Sequence, residues 1–434
     1  MSGASGMGRS KSFVFGTLGL LLLAVGFARS VKLYSETGMV DFRNRVVAAR
    51  QAERGLNPYT FKWEPRYPET LLDPTDEVDT KYTRMTSPPT TLLVHSFFAD
   101  APYAKQKFVN FALNWLCLIA IAAWLFRSLR LPIGAVLFAT GAYGVSALWL
   151  FHVERGQQYV YFSLFATLAV LPPTTEGFRA FFQAIASFFR PTLGTAVFAS
   201  FRERRPVRTL VVTAAIGGLL LVPVLWKYPL AWWGDYFAST RDWFDHGRGF
   251  PMKITRSIVV TIPDLPEGDP FLAKAWSFGA FGSLPYHFAE KAGWPLPYAV
   301  GLFLTAAATA GSAWKLWRAR AESAISFAGR FFSAIYLTDY VLPAPRSGYN
   351  AVLFFPMIVI AFAEVASLGR PAPGRKLGSR AAAMFLVVVG LAVALEAIVK
   401  PYSSPMLVEA LYVIGASVVL FRKNEGETPA LRSS

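Results

Sequence analysis

One cysteine, Cys117, occurs in 434 residues, and it lies inside an apolar run, so no intrachain disulfide can form. Histidine is nearly as scarce: His95, His152, His246 and His287 are the full set, and none stands in a metal-ligand spacing such as H-E-x-x-H. A Walker loop and a dinucleotide-binding glycine motif are also lacking, which leaves zinc hydrolysis and nucleotide chemistry without support. Only 16% of residues are charged, too few to cover the surface of a soluble fold in which 54% are hydrophobic and the mean hydropathy is +0.38. Low-complexity linkers and internal repeats are missing as well, so the simplest account is a single domain over residues 1–434.

What is present is a succession of long apolar runs. A bilayer core needs roughly 20 apolar residues in a helix, and this pattern predicts spans near 13–28, 107–126, 132–150, 159–172, 209–226, 297–315, 325–343, 350–366, 381–398 and 405–421. The first follows Arg9 and Lys11 and ends in Gly26-Phe27-Ala28, which resembles a peptidase site; an uncleaved anchor is the reading adopted. The net charge of +16 resides largely in short links between the runs, as expected of topology determinants facing anionic lipid, and no nucleic-acid partner is expected.

With both termini in the cytoplasm, the basic links 127–130, 202–205, 315–320, 370–380 and 422–423 all fall inside. That works only if residues 177–200 enter and leave from one face. Arg190-Pro191 lies near their middle, and proline removes a backbone donor while disfavouring helix in the residue before it. Two short helices meeting there make a re-entrant pair; an interfacial amphipathic helix dipping Phe181, Phe182, Phe188 and Phe189 into lipid is the alternative. The expected fold is therefore an all-α polytopic membrane protein of about ten full spans plus a re-entrant short-helix pair, with extracytoplasmic loops at about 29–106 and 227–296. Both loops are rich in aromatics, among them Trp63, Tyr67, Tyr82, Trp232, Trp233, Trp243 and Trp276, which suits packing onto each other or at the membrane interface.

The first loop carries Asp41-Phe42, then Gly55-Leu56-Asn57-Pro58-Tyr59, then Thr86-Ser87-Pro88-Pro89; later come Arg155-Gly156-Gln157-Gln158 between two spans and Arg190-Pro191. In this order the motifs resemble the GT-C superfamily of polytopic glycosyltransferases, and most closely glycosyltransferase family 87, the polyprenol-phosphate-mannose-dependent mannosyltransferases. The likeness runs along most of the chain, though each motif is short. It departs where the family has a histidine pair or His-Tyr before a late span, a region occupied here by Tyr336-Leu337-Thr338-Asp339-Tyr340.

By resemblance, Asp41 is the catalytic base, taking the proton of an acceptor hydroxyl as that oxygen attacks the anomeric carbon with inversion; its competing role is to start a helix over 41–54. A leaving lipid phosphate needs cations in a low-dielectric pocket. Arg190 is the sharpest candidate, because an arginine at membrane depth usually marks a polar path, although snorkelling to an interface would also accommodate it. Arg346 is the next candidate and could equally be a solvated loop residue, and Arg256 and Lys253 in the second loop follow. Asn57 and Tyr59 are candidates for orienting sugar hydroxyls, against an ordinary Asn-Pro turn. Gln157, Gln158, Tyr349 and Asn350 complete the sugar or acceptor candidates, with helix-end hydration the competing account of the glutamines.

The resemblance implies inverting transfer of a sugar, mannose first, from a polyprenyl-phosphate donor to a glycolipid or glycan acceptor outside the cytoplasm, with membrane lipid as the surroundings. It implies a bacterial plasma membrane location and no required metal or other cofactor. A secondary transporter or lipid flippase is the chief rival, disfavoured by the single visible helix break and the long loop directly after the first span. A polysaccharide polymerase or ligase is a further alternative, disfavoured by the early position of that loop.

Overall fold

The computed structural model describes residues 4–73, 76, 80–83, 85–171, 175–246, 286, 289, 292–343, 348–366 and 405–421, and all regular structure among them is helical. Helix α1 (Ala4–Glu36) is followed by α2 (Val40–Glu53), α3 (Pro89–Ser96), α4 (Tyr103–Leu129), α5 (Ile133–Gly144), α6 (Ala147–Arg155) and α7 (Tyr159–Val170). Next come α8 (Glu176–Phe189), α9 (Pro206–Lys227), α10 (Ala231–His246), α11 (Tyr298–Arg318), α12 (Ala324–Tyr340), α13 (Phe355–Ala366) and α14 (Pro405–Phe421). Nine of the ten expected apolar runs coincide with helices, and 381–398 lies outside the described residues.

Among the described residues, three helices are long and apolar enough to cross a membrane: Ser12–Glu36 of α1, α4 and α9. A fourth crossing needs α5 and α6 together, and the run expected over 132–150 is bent by 59° between them. The bend has a local cause, since Ser146 accepts a hydrogen bond from the Trp149 N–H at 3.3 Å and so caps a new helix directly after Gly144. The first loop also starts later than expected, because α1 continues to Glu36.

Helices α1 and α5 pack with almost no side chain between them. A methyl group on Gly19 would strike the backbone of Leu137 and Phe138, one on Gly26 would sit 2.5 Å from the Gly144 carbonyl oxygen, and one on Gly141 would meet the carbonyl of Gly19. Glycines let backbones approach where lipid offers no hydrophobic force to drive association, so van der Waals contact carries the pairing. The opposite face of α1 exposes Leu20, Leu21 and Val25, as a lipid-facing surface would.

Helix α12 is central, with Phe327, Phe331, Phe332 and Tyr336 fully buried. Its one buried arginine, Arg330, is paired with Glu322 at 2.9 Å and donates to the Leu420 carbonyl of α14 at 2.6 Å, so a charge at 0% exposure is fully accompanied. The helix break expected at Arg190-Pro191 is present. Helix α8 ends at Phe189, Arg190 is extended (φ −145°, ψ 104°), and Pro191–Arg202 continues as a 3-10 helix that packs back against α8, α9 and α12.

The segments joining α1 to α4 and following α9 dock onto each other. Tyr59 is fully buried in a cluster with Ala48, Leu92, Val224 and Trp232, and its ring lies 6.0 Å from that of Tyr236. Ser239 donates to the Met85 carbonyl at 3.0 Å, and Asn57 donates to Asp235 at 2.7 Å. The expected packing of the two aromatic-rich segments is thus realised between α2–α3 and α10.

The α1–α5 contact leads to a test. Gly141→Leu forces the two backbones apart and is expected to cost at least about 1–3 kcal/mol, the usual penalty of overpacking, seen as a lower unfolding temperature in detergent; Gly311→Leu, where the added group meets open space, should leave that temperature nearly unchanged. Equal effects at both positions would mean that the helices do not meet as described.

Candidate functional site

Helix α2 begins with an unusual residue. Met39, its N-cap, is fully buried in the left-handed region (φ 48°, ψ 62°), a conformation costing on the order of 1–3 kcal/mol for a residue with a side chain. The strain is held by neighbours: Tyr103 donates to the Gly38 carbonyl at 2.5 Å, and the Arg43 N–H closes the first helical turn on the Met39 carbonyl at 2.9 Å. The result is to aim the first turn of α2, and Asp41 with it, at the joint between α6 and α7.

That joint is Arg155-Gly156-Gln157-Gln158. Arg155 grips Asp41 with two donors along one edge of its guanidinium, Nε to Oδ2 at 3.0 Å and Nη2 to Oδ1 at 2.6 Å, and Gln157 Nε2 donates to Oδ2. Gly156 is left-handed (φ 65°), and a Cβ there would lie 2.5 Å from the Phe42 Cβ and 2.9 Å from the Met39 Cβ. The Asp-Phe and Gly-Gln motifs therefore interlock: the phenylalanine needs the glycine's bareness, and the aspartate takes the glutamine's amide.

Arg45, one turn beyond Asp41, completes the layer by donating to Gln157 Oε1 at 2.8 Å, to the Gly156 carbonyl at 3.3 Å and to Ser87 Oγ at 3.2 Å. Gln158 turns the other way and meets His95 Nε2 at 2.6 Å. Burial, with the positive charge of Arg45 adding to it, pushes the His95 imidazole down to about 3, so the ring is neutral at physiological pH and its Nε2 accepts from the glutamine amide. The Asp41 side chain keeps 20% exposure. A carboxylate offers about four acceptor positions, and three are taken by Arg155 and Gln157, which leaves one edge for a further donor.

The same joint reaches a second polar cluster. Tyr159, two residues after Gln157, receives a hydrogen bond on its hydroxyl from Arg190 Nη1, and the guanidinium also stands 4.6 Å over the tyrosine ring. Arg190 is ion-paired with Asp339 at 2.9 Å, and Asn350 donates to the other carboxylate oxygen at 3.1 Å. Asp339 is fully enclosed, whereas the Arg190 side chain is 20% exposed, so the arginine forms the accessible side of the pair.

The expected site residues thus fall into groups. Asp41, Gln157 and Gln158 gather around the α6–α7 joint, and Arg190 and Asn350 lie on the second cluster joined to it through Tyr159. Asn57 and Tyr59 are engaged within their own segment and with α10: Asn57 Oδ1 caps its own turn through the Tyr59 N–H at 3.1 Å, its amide donates to Asp235, and the enclosed Tyr59 hydroxyl donates to the Ser87 carbonyl at 2.8 Å. Arg346, Arg256 and Lys253 lie outside the described residues, as does the side chain of Tyr349. Among the described residues, no three His, Cys, Asp or Glu side chains are grouped to hold a metal ion.

Three contributors escape a reading by motif: Arg45, Tyr159 and Asp339. Arg45 was findable from its i+4 spacing to Asp41, and Asp339 from its place at the end of an apolar run, where an acidic residue is costly. Beside the first cluster, Asn44, Val47, Ala48 and Gln51 of α2 wall a cavity of about 370 Å³ that is closed by Phe61, Trp63, Leu71, Asp73 and Met85 among others. Asn44 and Ala48 follow Asp41 at helical spacing on α2, while the Asp41 carboxylate itself is held at the α6–α7 joint and is not among the residues that line the cavity.

No family model, no curated protein and no solved structure matches the chain.

Two measurements test this geometry. Arg155→Met, which leaves the Asp41 charge without its partner, is expected to cost roughly 3 kcal/mol of stability, and combination with Asp41→Asn should recover part of it; additivity within about 0.5 kcal/mol would show that the side chains do not interact. Because His95 is neutral when folded but takes up a proton near 6.5 when unfolded, its contribution to stability is complete above that pH and is lost as pH falls toward 3. Unfolding temperature in detergent should therefore drop between pH 7 and 5, and His95→Gln should flatten that slope.

Proposed function

We propose that the chain is a glycosyltransferase that moves a sugar, mannose in the first instance, from a polyprenyl-phosphate carrier to a glycan or glycolipid acceptor on the extracytoplasmic side of a membrane. The observation that carries the reading is the convergence of Asp41, Arg155 and Gln157, from segments 114 and 116 residues apart, around a partly exposed carboxylate. A position that only capped a helix would not require a strained N-cap, a left-handed glycine and a bidentate arginine to hold it.

In this mechanism, the open edge of Asp41 accepts the proton of an acceptor hydroxyl as its oxygen bonds to the anomeric carbon. The bond from that carbon to the phosphate oxygen breaks in the same displacement, and the carrier leaves as a prenyl phosphate. Arg190 receives the phosphate charge, and the cavity along α2, the helix that carries Asp41, gives the acceptor ring room, with Trp63 and Phe61 as apolar walls. The further helices complete a polytopic bundle of about ten spans with the N- and C-termini in the cytoplasm, as the basic links require.

A second reading, a transporter or flippase, draws on the Arg190–Asp339 pair beside a helix break, a combination such proteins use at their binding sites.

The deciding assay supplies membranes containing the full chain with polyprenyl-phosphate-mannose. Sugar transfer is expected with the native chain and a loss of at least about a hundredfold with Asp41→Asn at equal expression, the scale of a missing general base. Undiminished transfer in Asp41→Asn would remove that residue from the chemistry, and absence of any transfer alongside movement of lipid across the bilayer would favour the flippase. Orientation is separately measurable by labelling single cysteines at Arg54 or Lys81, both exposed, in a Cys117→Ser background.

A further inference from the structure

Arg190 is anchored by a group that no phosphate-binding role requires. Asp339 sits at 0% exposure near the end of α12, takes the arginine at 2.9 Å on Oδ1 and accepts from Asn350 on Oδ2 at 3.1 Å. Around them lie Tyr159, whose hydroxyl and ring both meet the guanidinium, and Tyr236 of α10 nearby. A lone guanidinium in a low-dielectric bundle would hold a lipid phosphate tightly and be slow to surrender it, since attraction between unit charges is several-fold stronger there than in water. A buried carboxylate behind the arginine cancels most of that excess while keeping the guanidinium plane fixed.

We propose that Asp339 is a positioning and affinity-setting residue for the phosphate of the lipid carrier. It holds Arg190 against Tyr159 and offsets its charge, so that the anion is held loosely enough to depart after transfer. The inference rests on the glycosyl-transfer reading of Arg190, and it concerns release as much as capture. It also accounts for Asn350, whose amide fixes the far oxygen of the carboxylate.

The geometry favours a clean substitution. Asp339→Asn keeps the shape and the acceptor facing Arg190, while the new amide faces Asn350, whose own Oδ1 is buried with no hydrogen-bond partner and can turn to receive it. Only the negative charge is lost.

The test measures equilibrium binding of farnesyl phosphate to the full-length protein in nanodiscs, followed by tryptophan fluorescence, and steady-state transfer where activity is detected. Asp339→Asn is expected to bind farnesyl phosphate about ten- to a hundredfold more tightly, the Coulomb effect of one buried charge a few ångströms behind the ligand. Both KM for the donor and kcat should fall, because release becomes slow. Arg190→Met should lose binding. Glu322→Gln, in the remote buried pair with Arg330, controls for general loosening and should leave the affinity alone.

If Arg190→Met binds like the native chain, the phosphate role of Arg190 fails and this inference with it. Should Arg190→Met lose binding while Asp339→Asn binds no more tightly, the inference alone is overturned and the reading of Arg190 stands. Where Asp339→Asn yields no folded protein, Asp339→Ser is read instead: it likewise removes the charge and should tighten binding at least tenfold, and unchanged affinity overturns the proposal.

Discussion

The grip of Arg155 and Gln157 on Asp41 ties α2 to the joint between α6 and α7. On one side is α2, set at its angle by a left-handed Met39; on the other is the α6–α7 joint, whose Gly156 has no side chain to keep Phe42 away. Arg45 braces the joint from above, and Tyr159 passes its position on to Arg190. A carboxylate and an arginine at 20% and 13% exposure lose much of their hydration, and bidentate geometry with an added amide is the arrangement that compensates for it. The strain at Met39 is tolerated for the same reason, as many contacts over-determine the turn.

Two ion pairs deep in the bundle are each completed by further polar partners. Arg330 has Glu322 and the end of α14, Arg190 has Asp339 and Tyr159, and Asp339 has Asn350. The difference between the pairs is access. Arg330 is sealed, whereas Arg190 keeps one fifth of its side chain exposed and lies at the only break between α8 and the 3-10 helix after it. That contrast separates a pair that holds helices together from one that can meet a ligand.

Much of the helical layout was legible in the sequence because apolar run length and proline placement act locally. The break at Arg190-Pro191 follows from proline's own stereochemistry, and the helix expected over 41–54 is present as Val40–Glu53, although its N-cap is Met39 and not Asp41. The bend between α5 and α6 was hidden inside one continuous apolar run, although Ser146 is an ordinary helix starter once its partner Trp149 is seen. The candidate site was legible only in part. Asp41 and Gln157 emerged through motif order, but nothing local announces that Arg190 meets Asp339 across 149 residues, or that Tyr59 turns inward to the Ser87 carbonyl. Such pairings are properties of packing, and a motif that reads as a ligand, like Asn57-Pro58-Tyr59, can be consumed by its own turn.

The separation of 114 residues between Asp41 and Arg155 also bears on how the protein is made. The segment carrying the acid leaves the ribosome well before α4, α5 and α6, so it must wait as a bare carboxylate on a short tethered helix until the joint arrives. Contacts so distant along the chain are slow to form. The polypeptide is therefore built with this contact open, and the grip on Asp41 closes only once the α6–α7 joint has found its place.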